Sequence, residues 1–128
     1  MKQMLLLAVS LLLLGSCQGG AGVAAPYRSI TPEEAYALMQ KETGCVILDV
    51  RTPEEYASGH VPGAVLLPYD EITAESAAAL LAHKAQTVLV YCRSGRRSKL
   101  GAETLSHLGY TRVLEFGGIL DWSYGIEK

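Results

Sequence analysis

The 128-residue chain has no Cys-x-x-Cys pair and no His/Cys cluster at metal-ligand spacing, so neither a metal nor a cofactor is expected. Long runs of one charge are missing too. The formal net charge is −2 and the arginines gather locally, which argues against nucleic acid as a partner. No apolar stretch approaches the roughly 20 residues that a membrane-spanning helix needs. An internal repeat of solenoid length is absent, as is any Ser/His/Asp arrangement suited to nucleophilic catalysis. The length suits a single domain.

What the chain does have at its start is a targeting segment. Lys2 supplies a short positive beginning, and residues 4–14 are apolar apart from Ser10, as in the hydrophobic region of a signal peptide. Leu14-Gly15-Ser16-Cys17 then looks like a bacterial lipobox, which implies cleavage before Cys17 and lipidation of that cysteine. An ordinary secretory signal with a chance cysteine is the plainer alternative. Residues 1–16 are therefore expected to be a lipoprotein signal peptide. Residues 17–26, rich in small side chains, read as a flexible tether, and residues 27–128 as the folded domain. The expected location is extracytoplasmic, on a membrane through the lipid. Gln18 after the cysteine leans toward the outer membrane if the source is a diderm bacterium.

Within the domain, capping residues and apolar runs alternate. Thr31-Pro32-Glu33-Glu34 opens a helix that should reach about Glu42 and stop near Gly44. Residues 45–50 are continuously apolar up to Asp49, the pattern of a strand buried on both faces. Cys45 reads there as a small core residue, with a resolving thiol for Cys92 as the alternative. Thr52-Pro53-Glu54-Glu55 repeats the cap and starts a short helix ending by Gly59. A turn follows at 60–64, then a short strand at 64–67, a helix from 73 to about 83 and a strand at 87–91. A helix at 97–108 and a strand at 113–116 come next; Gly117-Gly118 should break that strand before a last helix at 119–124. Strands alternating with helices predict an α/β fold around a mostly parallel sheet with helices on both faces. In such sheets sites collect at the carboxyl ends of strands, where Asp49 and Cys92 both fall.

The stretch Tyr91-Cys92-Arg93-Ser94-Gly95-Arg96-Arg97-Ser98 carries the chemistry. A strand, a tight loop and a helix start build an anion cradle from backbone N–H groups and the helix's partial positive charge. Such a cradle favours the thiolate, so Cys92 is the candidate nucleophile. Gly95 lets the loop turn tightly. Arg93, Arg96 and Arg97 are candidates to hold an anionic substrate, Arg97 foremost, and at least one of them could be a solvated surface charge. Ser94 and Ser98 offer hydroxyls nearby, Ser98 equally readable as a helix-start residue. Asp49 and Arg51 read first as a fold-stabilising ion pair and second as support for the site. His60 should organise its turn, His83 and His107 should lie on the surface, and Trp122 and Tyr124 should pack in the core or as a lid.

Leu48-Asp49-Val50-Arg51, Glu54-Glu55-Tyr56, Gly59-His60-Val61-Pro62-Gly63-Ala64, the 91–98 loop, and Gly117-Gly118 followed by Trp122 together resemble the rhodanese family, over residues 27–128. The resemblance implies a rhodanese-like α/β domain that moves sulfane sulfur through a persulfide on Cys92. It also implies a small anionic donor such as thiosulfate and a thiophilic acceptor: cyanide in an assay, a thiol in the cell. Polysulfides, glutathione persulfide or a protein persulfide are equally open as donors.

Two rivals remain. Cysteine phosphatases and arsenate reductases of related architecture use His-Cys-x5-Arg; here Tyr91 replaces the histidine, Ser98 stands where the arginine would, and the loop is one residue shorter. The other rival is a non-catalytic module of the same fold that binds an anion or a protein.

Overall fold

The structure, a computed structural model, describes residues 26–128. The expected signal segment 1–16, the lipidated Cys17 and the tether up to residue 25 lie outside the described residues. No helix among the described residues is long and apolar enough to cross a membrane.

In chain order the elements are β1 (Arg28–Ser29), α1 (Pro32–Lys41), β2 (Val46–Asp49), α2 (Pro53–Ser58), β3 (Val65–Leu66), α3 (Ala74–Leu80), β4 (Val88–Cys92), α4 (Arg96–His107) and β5 (Val113–Gly118). The five strands form one sheet in the order β1-β5-β4-β2-β3, and every pairing is parallel. Along β4 the side chains alternate. Val88, Val90 and Cys92 join a core with Ala77, Ala102 and Leu105 of α3 and α4. Leu89 and Tyr91 join a second core with Ala35 of α1, and Tyr56 of α2 packs against it. Helices therefore cover both faces, as an all-parallel sheet requires.

Both expected capping boxes form. Thr31 and Thr52 accept hydrogen bonds from the N–H groups of Glu34 and Glu55, whose carboxylates accept from the cap residues' own N–H groups in return. A third box, Thr73 with Ser76, starts α3.

Four features differ from the sequence expectation. β1 has no counterpart in the sequence pattern; it is two residues long and is held by pairing with β5 at Leu114 and Glu115. α3 ends at Leu80 rather than near 83, because Leu81 turns its side chain into the core and its carbonyl accepts from the buried Tyr110 hydroxyl at 2.9 Å. The glycine pair does not end β5. The ladder runs Val90↔Glu115 and then Cys92↔Gly118, so β5 carries one extra residue, a bulge for which Gly117 takes φ +86°. Residues 119–124 make only the single helical turn Ile119–Asp121. The Leu120 N–H is drawn instead to the Arg93 carbonyl at 3.2 Å, and the tail returns to pair Glu127 with His60.

Candidate active site

β4 delivers Cys92 to the carboxyl end of the sheet and the chain turns at once into residues 93–95. Gly95 adopts φ +113°, a left-handed conformation that side chains resist, and caps α4. That turn points the Gly95 N–H at Cys92 Sγ, 3.0 Å away. The thiol lies at the bottom of the loop, 1 % exposed. β5 backs the loop so closely that a Cβ on Gly118 would fall 1.9 Å from the Arg93 carbonyl oxygen. The glycine pair, read from the sequence as a strand breaker, is the strand's surface for this contact.

The three loop arginines separate in role. Arg93 and Arg96 are exposed and have no ion-pair partner among the described residues. Arg97 is half-buried and forks onto Glu55, with Nη1 to Oε1 at 2.7 Å and Nη2 to Oε2 at 3.0 Å. The hydrogen bonds from Arg97, with help from the Thr52 N–H and against partial burial, hold the Glu55 carboxyl down at about 2. The same hydrogen bonds push the Arg97 guanidinium up, and the nearby Cys92 adds to that by charge. Arg97 thus stands beside the loop with its fork occupied by a carboxylate from α2. Ser94 is exposed at the loop. Ser98 is fully buried; its hydroxyl lies 2.9 Å from both the Gly95 carbonyl and Glu115 Oε1. Ser98, open in the sequence as a substrate contact or as a helix-start residue, thus has its hydroxyl engaged beneath the loop.

Asp49 and Arg51 belong to a separate buried clasp on the other face of the sheet. Arg51 donates through its backbone N–H and Nε to Asp49 Oδ1, both at 2.9 Å, and through Nη2 to Oδ2 at 2.7 Å. The same Nη2 reaches the Gly59 carbonyl at 2.8 Å. Tyr91 donates to Asp49 Oδ2 at 2.6 Å and accepts from the Val61 N–H at 3.0 Å; burial above all, then the bond to Asp49, pushes its phenol up. These bonds join β2, β4, the end of α2 and the 60–64 turn. They hold the frame and do not touch the thiol. His60 stacks on Tyr56 at 3.8 Å and its Nδ1 lies 2.9 Å from the Tyr56 carbonyl, so it organises that turn. Cys45 is half-buried, and burial first, then the Glu42 charge, pushes its thiol up.

Sequence reasoning missed Glu55 as the partner of Arg97, and Glu115. The acidic pair at 54–55 was legible only as a helix cap. A surface cavity of about 360 Å³, bounded by Tyr36, Val61, Trp122 and Tyr124 among others, includes no residue of the Cys92 loop. No group of His, Cys, Asp and Glu among the described residues is arranged to hold a metal.

Comparison with known proteins extends this geometry. Residues 31–124 match the family model described as the rhodanese-like domain. Thiosulfate sulfurtransferase PspE of Escherichia coli (strain K12) is 45 % identical over 74 residues, 58 % of this chain and 70 % of that protein. A sulfurtransferase of Allochromatium vinosum is 39 % identical over 79 residues, 61 % of this chain and 71 % of that protein. Among solved structures, a rhodanese with anions from E. coli superimposes with a TM-score of 0.62 at 40 % identity, covering 66 % of this chain and 98 % of that one. Because the matched span takes in the clasp at Asp49, the loop at Cys92 and the bulged strand beneath it, this chain belongs to the rhodanese-like domain family.

Proposed function

We propose that the protein is a sulfurtransferase that carries sulfane sulfur as a persulfide on Cys92. The observation that carries this reading is the Gly95 N–H set 3.0 Å from Cys92 Sγ at the end of a parallel strand and under a helix start. Helix start and N–H both favour negative charge on sulfur. The Cys92 thiolate attacks the outer sulfur of a donor such as thiosulfate. A new S–S bond forms, the donor's S–S bond breaks, and sulfite leaves with the electron pair. The persulfide's terminal sulfur keeps the negative charge within the loop. Cyanide, or a cellular thiol, then attacks that sulfur, takes it, and returns the Cys92 thiolate. The route is a double displacement with two half-reactions. Arg93 and Arg96, exposed on the loop, draw the anionic donor in and meet its oxygens.

Mass spectrometry after thiosulfate treatment tests the reading. A gain of one sulfur atom, located on Cys92 and removed by cyanide, is expected. Cys92→Ser should keep its circular dichroism spectrum and lose turnover. If the wild-type protein gains no sulfur and turns over none of the donors named above, the protein is a binding module of this fold instead.

We further propose that the chain is a lipoprotein anchored through Cys17 on an extracytoplasmic membrane face, on the strength of Leu14-Gly15-Ser16-Cys17 after the apolar run. Metabolic labelling with a palmitate analogue should tag the wild-type protein and leave Cys17→Ala untagged; equal labelling would sink the assignment.

A further inference from the structure

Glu115 is the one acidic side chain that β5 buries, 2 % exposed in a strand otherwise made of Val113, Leu114, Phe116 and two glycines. Its register opposite Val90 places it on the face of the sheet that Cys92 shares with α4. A carboxylate is costly there unless its lone pairs are met. The Ser29 hydroxyl of β1 donates to Oε2, and the Lys99 ammonium stands 3.7 Å from the same oxygen. The Gly117 N–H, turned out of the ladder by the bulge, donates to Oε1 at 3.1 Å. The Ser98 hydroxyl lies 2.9 Å from Oε1 and 2.9 Å from the Gly95 carbonyl; both are acceptors, so its single proton is shared between them.

Two of these contacts lead to the loop. Gly95 is the residue whose N–H faces Cys92 Sγ, and Ser98 links that residue's carbonyl to Glu115. Gly117 belongs to the glycine pair on which the loop rests; its Cα lies 3.7 Å from where a Gly95 Cβ would be. One carboxylate therefore fixes the loop from below and the strand that backs it.

We propose that Glu115 is a positioning residue for sulfur transfer, holding Gly95 through Ser98 and the bulge through Gly117 so that the cradle keeps its shape around Cys92. The proposal rests on the reading of Cys92 as the sulfur carrier. Glu115 itself is buried and meets neither donor nor acceptor. A shift of the Gly95 N–H away from Sγ weakens a contact that the anionic sulfur needs, and small misplacements at a reacting centre are costly.

The test compares wild type, Glu115→Leu, Ser98→Ala and the double variant as full chains, in steady-state thiosulfate-to-cyanide transfer and in the pH profile of Cys92 alkylation by iodoacetamide. Leucine is chosen because a glutamine oxygen could still accept from Ser98 and Gly117. Each single variant should lower kcat by roughly tenfold or more with the KM for thiosulfate changed by less than about threefold. The double variant should lose little beyond the worse single one, because both cut the same link. The alkylation profile should move along the pH axis in both, which a loss of global stability would not produce well below the unfolding temperature. Wild-type kcat in a folded Glu115→Leu, an effect confined to KM, multiplicative losses in the double variant, or an unmoved alkylation profile would each overturn the proposal. If Glu115→Leu does not fold, Ser98→Ala decides by the same two readouts. A wild-type protein that transfers no sulfur would instead remove the function reading, while the alkylation profiles would still report on the loop.

Discussion

At Gly118 even a methyl group has nowhere to go. Its Cβ would stand 1.9 Å from the Arg93 carbonyl oxygen, a backbone atom that cannot rotate aside. Gly118→Ala should therefore push the loop off β5, at a cost of roughly 1–3 kcal/mol in a denaturant titration and with a loss of transfer rate larger than the stability change explains. Asp49→Asn acts on the opposite face. It leaves Arg51 and the Tyr91 hydroxyl facing a neutral side chain in a buried clasp, and breaking such a pair from one side costs roughly 3–5 kcal/mol. Urea unfolding should show that loss with the m-value unchanged. At this scale adjacent letters placed Cys92 at the end of its strand, the glycine in the loop after it and Asp49 beside Arg51. The sequence hid Glu115, because a glutamate between Leu114 and Phe116 carries no sign of burial, and the serines that satisfy it lie 86 and 17 positions away. It ranked Arg97 first among the arginines that could hold a substrate, and nothing local marks Glu55, 42 positions earlier, as the partner of its fork.

Between elements, that Glu55–Arg97 pair is the strap from α2 to α4. Glu55 has a folded-state value of about 2 against an ordinary 4.5, so the folded form holds its proton less tightly than the unfolded chain does. Its contribution to stability is complete above about pH 4.5 and disappears as the pH falls toward 2. Thermal unfolding of wild type and Glu55→Gln should differ near pH 6 and converge near pH 2; a constant difference across that window would show that the pair does not act through its charge. The helices themselves were mostly readable, because caps are local: Thr31 with Glu34 and Thr52 with Glu55 are three residues apart. The box at Thr73 carries no such sign, because Ser76 fills a place where an acid or amide is usual. The end of α3 and the missing helix at 119–124 were decided by distant partners, Tyr110 for the Leu81 carbonyl and Arg93 for the Leu120 N–H. A two-residue strand such as β1 has too few side chains to show a period.

Across the whole molecule the sheet separates two cores, and Cys92 belongs to the one under α3 and α4. Leu105, fully buried in that core, is a measure of how firmly α4 is seated. Leu105→Ala should cost roughly 2–5 kcal/mol in guanidinium unfolding, with the persulfide still formed at temperatures where the variant is folded. The parallel α/β layering could be read in advance from the alternation of caps and β-branched runs. The strand order could not, because it depends on β1 finding β5 and on a bulge that keeps β5 in step with β4 past the glycines. That bulge limits what the loop can hold. Loop and strand touch with only hydrogen atoms between them, so neither can gain a residue or a side chain alone. Widening the loop to grip a bulkier anion would require the end of β5 to be rebuilt along with it.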